Sequence, residues 1–163
     1  MTVIVLGIDP GTANTGYGVV LASGQRLAAL DGGVIATDKG ERLETRLARI
    51  HARVRDLIFE HKPQAIAIED LFFGTNARSA FQVGQARGAV LLTAGLCAVP
   101  AYSYTPQAVK QAVCGNGRAE KGQVQRMVQA LLSLTELPQP DHAADALAVA
   151  VCHANGAPMR AAV

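Results

Sequence analysis

The feature that most constrains this chain is its opening apolar run, Val3-Ile4-Val5-Leu6-Gly7-Ile8, which stops abruptly at Asp9-Pro10-Gly11. The run is rich in β-branched residues and too short for a core helix. It has no polar residue at alternate positions, so both of its faces need cover. A strand of that kind belongs inside a sheet flanked by helices. Asp-Pro-Gly is a turn signal, so the strand hands an acid to the loop at its carboxyl end.

The rest of the chain supplies the partners. Gly16 to Ala22 reads as a second strand, antiparallel to the first across the tight turn, and Leu27 to Ala36 as a third, interrupted at Gly32-Gly33. Leu43, Leu47, Ile50, Val54, Leu57 and Ile58 recur at helical spacing, with Arg46, Arg49, Arg53 and Arg55 on other faces and Pro63 beyond the end. Ala65 to Ile68 is a further strand, delivering Glu69 and Asp70. Ser79 to Leu96 is a helix whose Gly84, Gly88 and Gly95 point to close packing rather than propensity. Ala101 to Tyr104 is a short strand, and Thr105-Pro106 caps and starts another helix. After the Gly115-Asn116-Gly117 loop come a helix from about Glu120 to Leu134, a linker holding Pro138 and Pro140, and a last helix from Asp141 to His153. The expected fold is α/β: a mixed five-stranded sheet, antiparallel in its first meander and parallel afterwards, with helices packed on both faces. Residues 1–156 are expected to form one domain and residues 157–163 a disordered tail.

Composition narrows the function classes. Half of the 163 residues are hydrophobic and only 17% are charged, a balance that buries one core and argues against disorder. The net charge of +2 says nothing about partners, but its distribution does. From Leu71 to Ala130 the ionisable chains are Arg78, Arg87, Lys110, Arg118, Lys121 and Arg126 against one acid, Glu120. Such a stretch suits a polyanion, although charge alone is equally met by a solvated basic face. Cys97, Cys114 and Cys152 form no CxxC pair and read as reduced thiols of a cytoplasmic protein. Every apolar stretch is broken before membrane-spanning length, so no membrane partner is expected.

Chemistry is expected where acids leave the sheet. If the strands ending at Asp9 and Glu69 are adjacent and parallel, both carboxylates emerge at one edge, where α/β sheets bind their ligands. Two such acids repel and need a cation, and oxygen-only ligation favours Mg²⁺. Taken singly, Asp9 also reads as a turn former and Glu69 as a solvated strand end. Asp70 competes with Glu69, but strand alternation points it to the opposite face. On the last helix His142 and Asp145 lie three apart and reach one site. Asp141 reads as the N-cap of that helix, while its spacing to Asp145 keeps a ligand role open.

Gly7-Ile8-Asp9-Pro10-Gly11-Thr12, Ile68-Glu69-Asp70-Leu71-Phe72, Gln85-Ala86-Arg87-Gly88, Tyr104-Thr105-Pro106, Ala119-Glu120-Lys121 and His142-Ala143-Ala144-Asp145-Ala146-Leu147-Ala148 appear in that order along the chain. The set resembles the RuvC family, the bacterial Holliday junction resolvases of RNase H-like (retroviral integrase) fold. The likeness runs from about Ile4 to His153. It implies a structure-specific endonuclease of recombination and repair that makes paired symmetric nicks in four-way junctions, leaving 5′-phosphate and 3′-hydroxyl ends. It implies Asp9, Glu69, His142 and Asp145 as catalytic ligands of Mg²⁺, in a pair of ions about 3.5–4 Å apart with Asp9 bridging. Lys121 matches the family lysine at the reacting phosphate, and Phe72 the family wedge. Phe73, Arg78, Lys110 and Arg118 are the further DNA-binding candidates. The branch-migration proteins RuvA and RuvB are implied as partners, and a two-fold junction cut by one site per chain calls for a homodimer; the small residues of the Ser79–Leu96 helix make it the candidate contact, although core packing accounts for them equally well.

One departure stands out: where the family often reads Asp-Ala-Ala-Asp, this chain reads His142-Ala143-Ala144-Asp145. A neutral imidazole suits Mn²⁺ better than Mg²⁺, so Mn²⁺ is the expected preferred substitute. Two rivals stay open on sequence. Gly7–Thr12 also resembles the phosphate loop of actin/hexokinase-type ATPases and sugar kinases. A junction-binding module without catalysis would equally carry a His at the metal site.

Overall fold

The computed structural model describes residues 1–70 and 76–156. Phe72, Phe73 and the expected tail at 157–163 lie outside the described residues. The elements follow in the order β1 (Thr2–Asp9), β2 (Asn14–Ser23), β3 (Arg26–Ala36), α1 (Leu43–His61), β4 (Ala65–Glu69), α2 (Ala77–Leu96), β5 (Ala101–Tyr104), α3 (Pro106–Cys114), α4 (Lys121–Leu131) and α5 (Asp141–Gly156). They build the expected mixed five-stranded sheet, ordered β3-β2-β1-β4-β5. β1 to β3 form the antiparallel meander, and β1, β4 and β5 run parallel.

Strand alternation divides the interior into two cores. Leu6, Ile8, Ile66 and Ile68 face α1 and α2, meeting Ile50, Val54, Leu57 and Val90. Val5 and Ala67 point the other way, into a core with Val149, Val151 and Tyr104. On that second side α5 crosses the middle of the sheet, and α3 and α4 pack on α5. Helices therefore cover both faces, as the unbroken apolar run of β1 requires.

Two local details differ from the sequence reading. β3 runs unbroken through Gly32-Gly33, and the irregularity in the β2–β3 ladder falls between Val19 and Val20. The glycine pair has another use: a Cβ on Gly33 would stand 2.7 Å from the Tyr17 hydroxyl, so the glycine makes room for that ring. α1 ends at His61, just before Pro63 as expected, and His61 Nε2 meets Asp31 Oδ2 at 3.0 Å, tying the helix end to β3. Asp141 is the first residue of α5 rather than its cap, and its carboxylate is turned toward α4. Thr105 does cap α3 as expected, accepting the Ala108 N–H at 3.1 Å with Pro106 in the first turn.

Candidate metal centre and nucleic-acid interface

β1 and β4 lie side by side and parallel, with Ile8 opposite Ile68, so Asp9 and Glu69 leave the sheet at one edge. Both share the parity of Val5, Gly7 and Ala67 and so point to the α5 face. Asp70 has the other parity, and its Oδ1 stands 3.8 Å from Arg87 Nε on α2. That answers the competition between the two acids.

α5 reaches these strands because the sheet offers glycine beneath it. A Cβ on Gly7 would lie 2.0 Å from the Ala146 carbonyl oxygen, and one on Gly16 would lie 1.9 Å from that of His142. Ala146 and Ala150 keep the facing side of the helix equally thin. The helix backbone thus rests on the sheet backbone, and its first turn projects over the strand ends.

The result is a carboxylate cluster. One oxygen each from Asp9, Glu69 and Asp145 lies within 4.8 Å of the others. His142 stands beside this group, its Nδ1 3.0 Å from Asp9 Oδ2. All three acids are only partly exposed, and the electrostatics show the strain of crowding them. Burial, then the charges of Asp9 and Asp145, push Glu69 up to about 8 from 4.5. Burial and the Asp9 charge raise Asp145 as well, against the pull of Lys121. Crowded carboxylates that resist ionisation, with oxygen donors only, fit a hard divalent cation, which would restore the charged forms. Asp31, Glu60 and His61 also cluster among the described residues. There Asp31 Oδ1 accepts the Gly32 N–H at 2.8 Å while Oδ2 holds His61, so its oxygens serve the docking of α1.

Basic groups flank the cluster on one side. Lys121, at the start of α4, places Nζ 3.2 Å from Asp141 Oδ2 and 3.8 Å from Asp145 Oδ2. Burial works against its charge, but Asp145 and Asp141 outweigh that and hold the ammonium above its ordinary value. A cavity of about 220 Å³ opens between Glu69, Lys110, Lys121 and Asp145, walled by Pro106, Val109, Val124 and Ala148. Arg118 is exposed on the α3–α4 loop, where Asn116 Oδ1 accepts its N–H at 2.9 Å. Arg78 is exposed in the first turn of α2, beyond the Asn76 cap. Phe72 and Phe73 lie outside the described residues.

Sequence reading missed three contributors. Gln125 Nε2 donates to Asp141 Oδ1 at 3.1 Å, completing a Lys121–Asp141–Gln125 group. Arg87 bonds Ser103 and approaches Asp70, joining α2 to the ends of β4 and β5. Gly7 and Gly16 admit α5. The Gln-Ala-Arg-Gly motif flagged Arg87 without a role; nothing in the local sequence flagged the other two.

Fold and site together define a class: an α/β protein whose central parallel strands and crossing last helix gather a carboxylate cluster, suited to a divalent cation, beside a basic surface. The profile described as "Crossover junction endodeoxyribonuclease RuvC" matches residues 5–153. A crossover junction endodeoxyribonuclease RuvC of Moorella thermoacetica is 55% identical over 157 residues, covering 96% of this chain and 94% of that protein. The structure of Thermus thermophilus RuvC superposes with a TM-score of 0.90 at 44% identity, covering 96% of each chain. T. thermophilus RuvC in complex with a Holliday junction substrate superposes at 0.92, with the same identity and coverage. The chain belongs to the RuvC family.

Proposed function

We propose that this chain is a structure-specific endonuclease that resolves four-way Holliday junctions. It acts in DNA recombination and repair, making paired symmetric nicks by divalent-metal-dependent phosphodiester hydrolysis that leaves 5′-phosphate and 3′-hydroxyl ends. The observation that carries the reading is the meeting of Asp9, Glu69 and Asp145 at one sheet edge, in a chain matched to the family along nearly its whole length.

Asp9, Glu69, Asp145 and His142 would hold the divalent ions, the imidazole being held toward Asp9 by their 3.0 Å contact. Mg²⁺, or Mn²⁺ in its place, would there supply activation of water and neutralisation of charge on the phosphate. Lys121 adds a positive charge beside the cluster, placed to offset negative charge developing on the phosphate. Lys110 and Arg118 extend the basic surface along the path of a DNA strand, as positioning contacts that read no sequence. Arg78, with Phe72 and Phe73, serves the junction centre, where an aromatic wedge separates bases.

A homodimer fits α2. Phe81, Leu92 and Leu96 are exposed on one stripe of that helix, with relative exposures of 68%, 59% and 68%. Gly88 and Gly95 share the stripe, and a Cβ on either would meet nothing within 4 Å. An apolar stripe with glycine gaps lets a second copy approach closely and bring two sites to a two-fold junction. Among the described residues no helix is long and apolar enough to cross a membrane. A cytoplasmic location and work beside RuvA and RuvB complete the reading.

The kinase-like interpretation of Gly7–Thr12 is disfavoured by the family match along nearly the whole chain. Thr15 Oγ1 donates to the Gly11 carbonyl at 2.6 Å and accepts the Gly11 N–H at 3.3 Å, and Thr37 Oγ1 holds the Thr12 carbonyl. Of the donors a phosphate cradle would use, the Gly11 N–H is thus already taken by Thr15.

The test is cleavage of a synthetic mobile junction in Mg²⁺ and in Mn²⁺, wild type beside Asp9→Asn. Asn keeps the shape and removes the charge, so cutting should vanish while junction binding persists. Binding without cutting by wild type in both metals would instead identify a silent junction-binding module.

A further inference from the structure

We propose that Asp141, braced by Gln125, is a positioning residue that holds the Lys121 ammonium beside the carboxylate cluster. This rests on the nuclease reading and deepens it by assigning an acid that the metal centre leaves out.

Asp141 carries the first carboxylate of α5, yet it is not among the three acids that converge. Both of its oxygens are engaged elsewhere: Oδ2 by Lys121 Nζ at 3.2 Å and Oδ1 by Gln125 Nε2 at 3.1 Å. Lys121 and Gln125 are four apart on α4, so they form one face and grip the same carboxylate from one side. The first turn of α5 is also where a carboxylate is favoured by the helix dipole.

The arrangement solves a specific problem. Lys121 is a long side chain with 56% of its surface exposed, and Asp145 Oδ2 is 3.8 Å from its Nζ. Left with one anion, such a lysine either swings into solvent or closes fully onto Asp145, taking an oxygen meant for a cation. Asp141 pulls from the other side and keeps the ammonium between the two carboxylates. There it stands beside the cluster without capping it. Gln125 fixes the Asp141 rotamer, which an exposed aspartate would not otherwise keep.

The experiment is a double-mutant cycle on mobile-junction cleavage under single turnover, read together with the Mg²⁺ concentration at half-maximal rate. Asp141→Ala should lower the maximal rate about tenfold through lost positioning, with junction affinity and half-maximal Mg²⁺ changed less than about twofold. Asp141→Glu should recover most of the loss, and Gln125→Ala should show a smaller fall of the same kind. In a Lys121→Met background, Asp141→Ala should add nothing. Equal loss with and without Lys121, or a large rise in the Mg²⁺ requirement, would overturn the proposal and make Asp141 a metal ligand or a purely structural acid. Failure of wild type to cut at all would count against the nuclease reading instead, so the two failures are distinguishable.

Discussion

Replacing Glu69 by Gln should make the metal-free protein more stable, and increasingly so as the pH rises. Glu69 titrates near 8 in the folded chain against 4.5 ordinarily, because burial and the neighbouring Asp9 and Asp145 charges oppose its ionisation. The folded state therefore binds this proton more tightly than the unfolded state does. Below about pH 4.5 both states are protonated and nothing is lost; above it the unfolded chain ionises freely while the folded chain resists. The penalty grows by roughly 1.4 kcal/mol per pH unit and levels off near pH 8, reaching about 3 kcal/mol at pH 7. Gln mimics the neutral acid, including a donor toward Asp9, and carries no such penalty.

The assay is thermal or urea unfolding in EDTA at pH 5 and pH 8, wild type beside Glu69→Gln. At pH 5 the two should nearly coincide. At pH 8, where the penalty is about 4 kcal/mol, the variant should melt higher by about 8–16 °C, taking roughly 2–4 °C per kcal/mol for a chain of this size. Saturating Mg²⁺ should close the gap by stabilising wild type and not the variant. Calorimetry in buffers of different ionisation enthalpy should then register about 0.9 proton released per Mg²⁺-loaded site at pH 7. Parallel stability profiles for the two proteins across this pH range would refute the reasoning.

Three further outcomes follow from the geometry. His142→Asp restores a carboxylate beside Asp9, 3.0 Å from the present imidazole nitrogen, and should shift the Mg²⁺/Mn²⁺ cleavage ratio toward Mg²⁺; an unchanged ratio would remove His142 from the metal's neighbours. Gly16→Ala sets a methyl 1.9 Å from the His142 carbonyl oxygen and should destabilise the fold by about 2–3 kcal/mol, read by urea unfolding, while slowing cleavage by displacing the start of α5. Leu92→Glu, in the exposed stripe of α2, should yield a folded monomer by analytical ultracentrifugation that nicks a junction singly; a persisting dimer would move the contact elsewhere.

How far the sequence foretold this depends on whether a feature is local. The order of strands and helices was legible because each carries its own period, and the Asp9 and Glu69 pair because strand parity and the run of parallel strands place both at one edge. The same parity sent Asp70 to the Arg87 side, where it is found. The roles of Gly7 and Gly16 were not legible: a glycine in a strand says that something comes close, and only the fold says that it is α5. The Gly32-Gly33 pair misled for the same reason, since it looked like an interruption and instead seats Tyr17.

Asp141 is the more instructive miss, because its local signal was genuine and was overruled from a distance. An aspartate at a helix start ordinarily caps backbone N–H groups, an interaction worth about 1 kcal/mol. Here a lysine and a glutamine from α4 compete for the same carboxylate and win, and a charged partner is the stronger bond. One residue along an α-helix is a rotation of roughly 100°. That rotation separates His142, facing Asp9, from Asp141, facing Lys121. Where the family often places an acid, this chain has an imidazole, and the acid one step earlier bonds the Lys121 ammonium beside the cluster. The imidazole thus leaves less negative charge at the cluster, and Asp141 supplies the second anion that the Lys121 ammonium bonds.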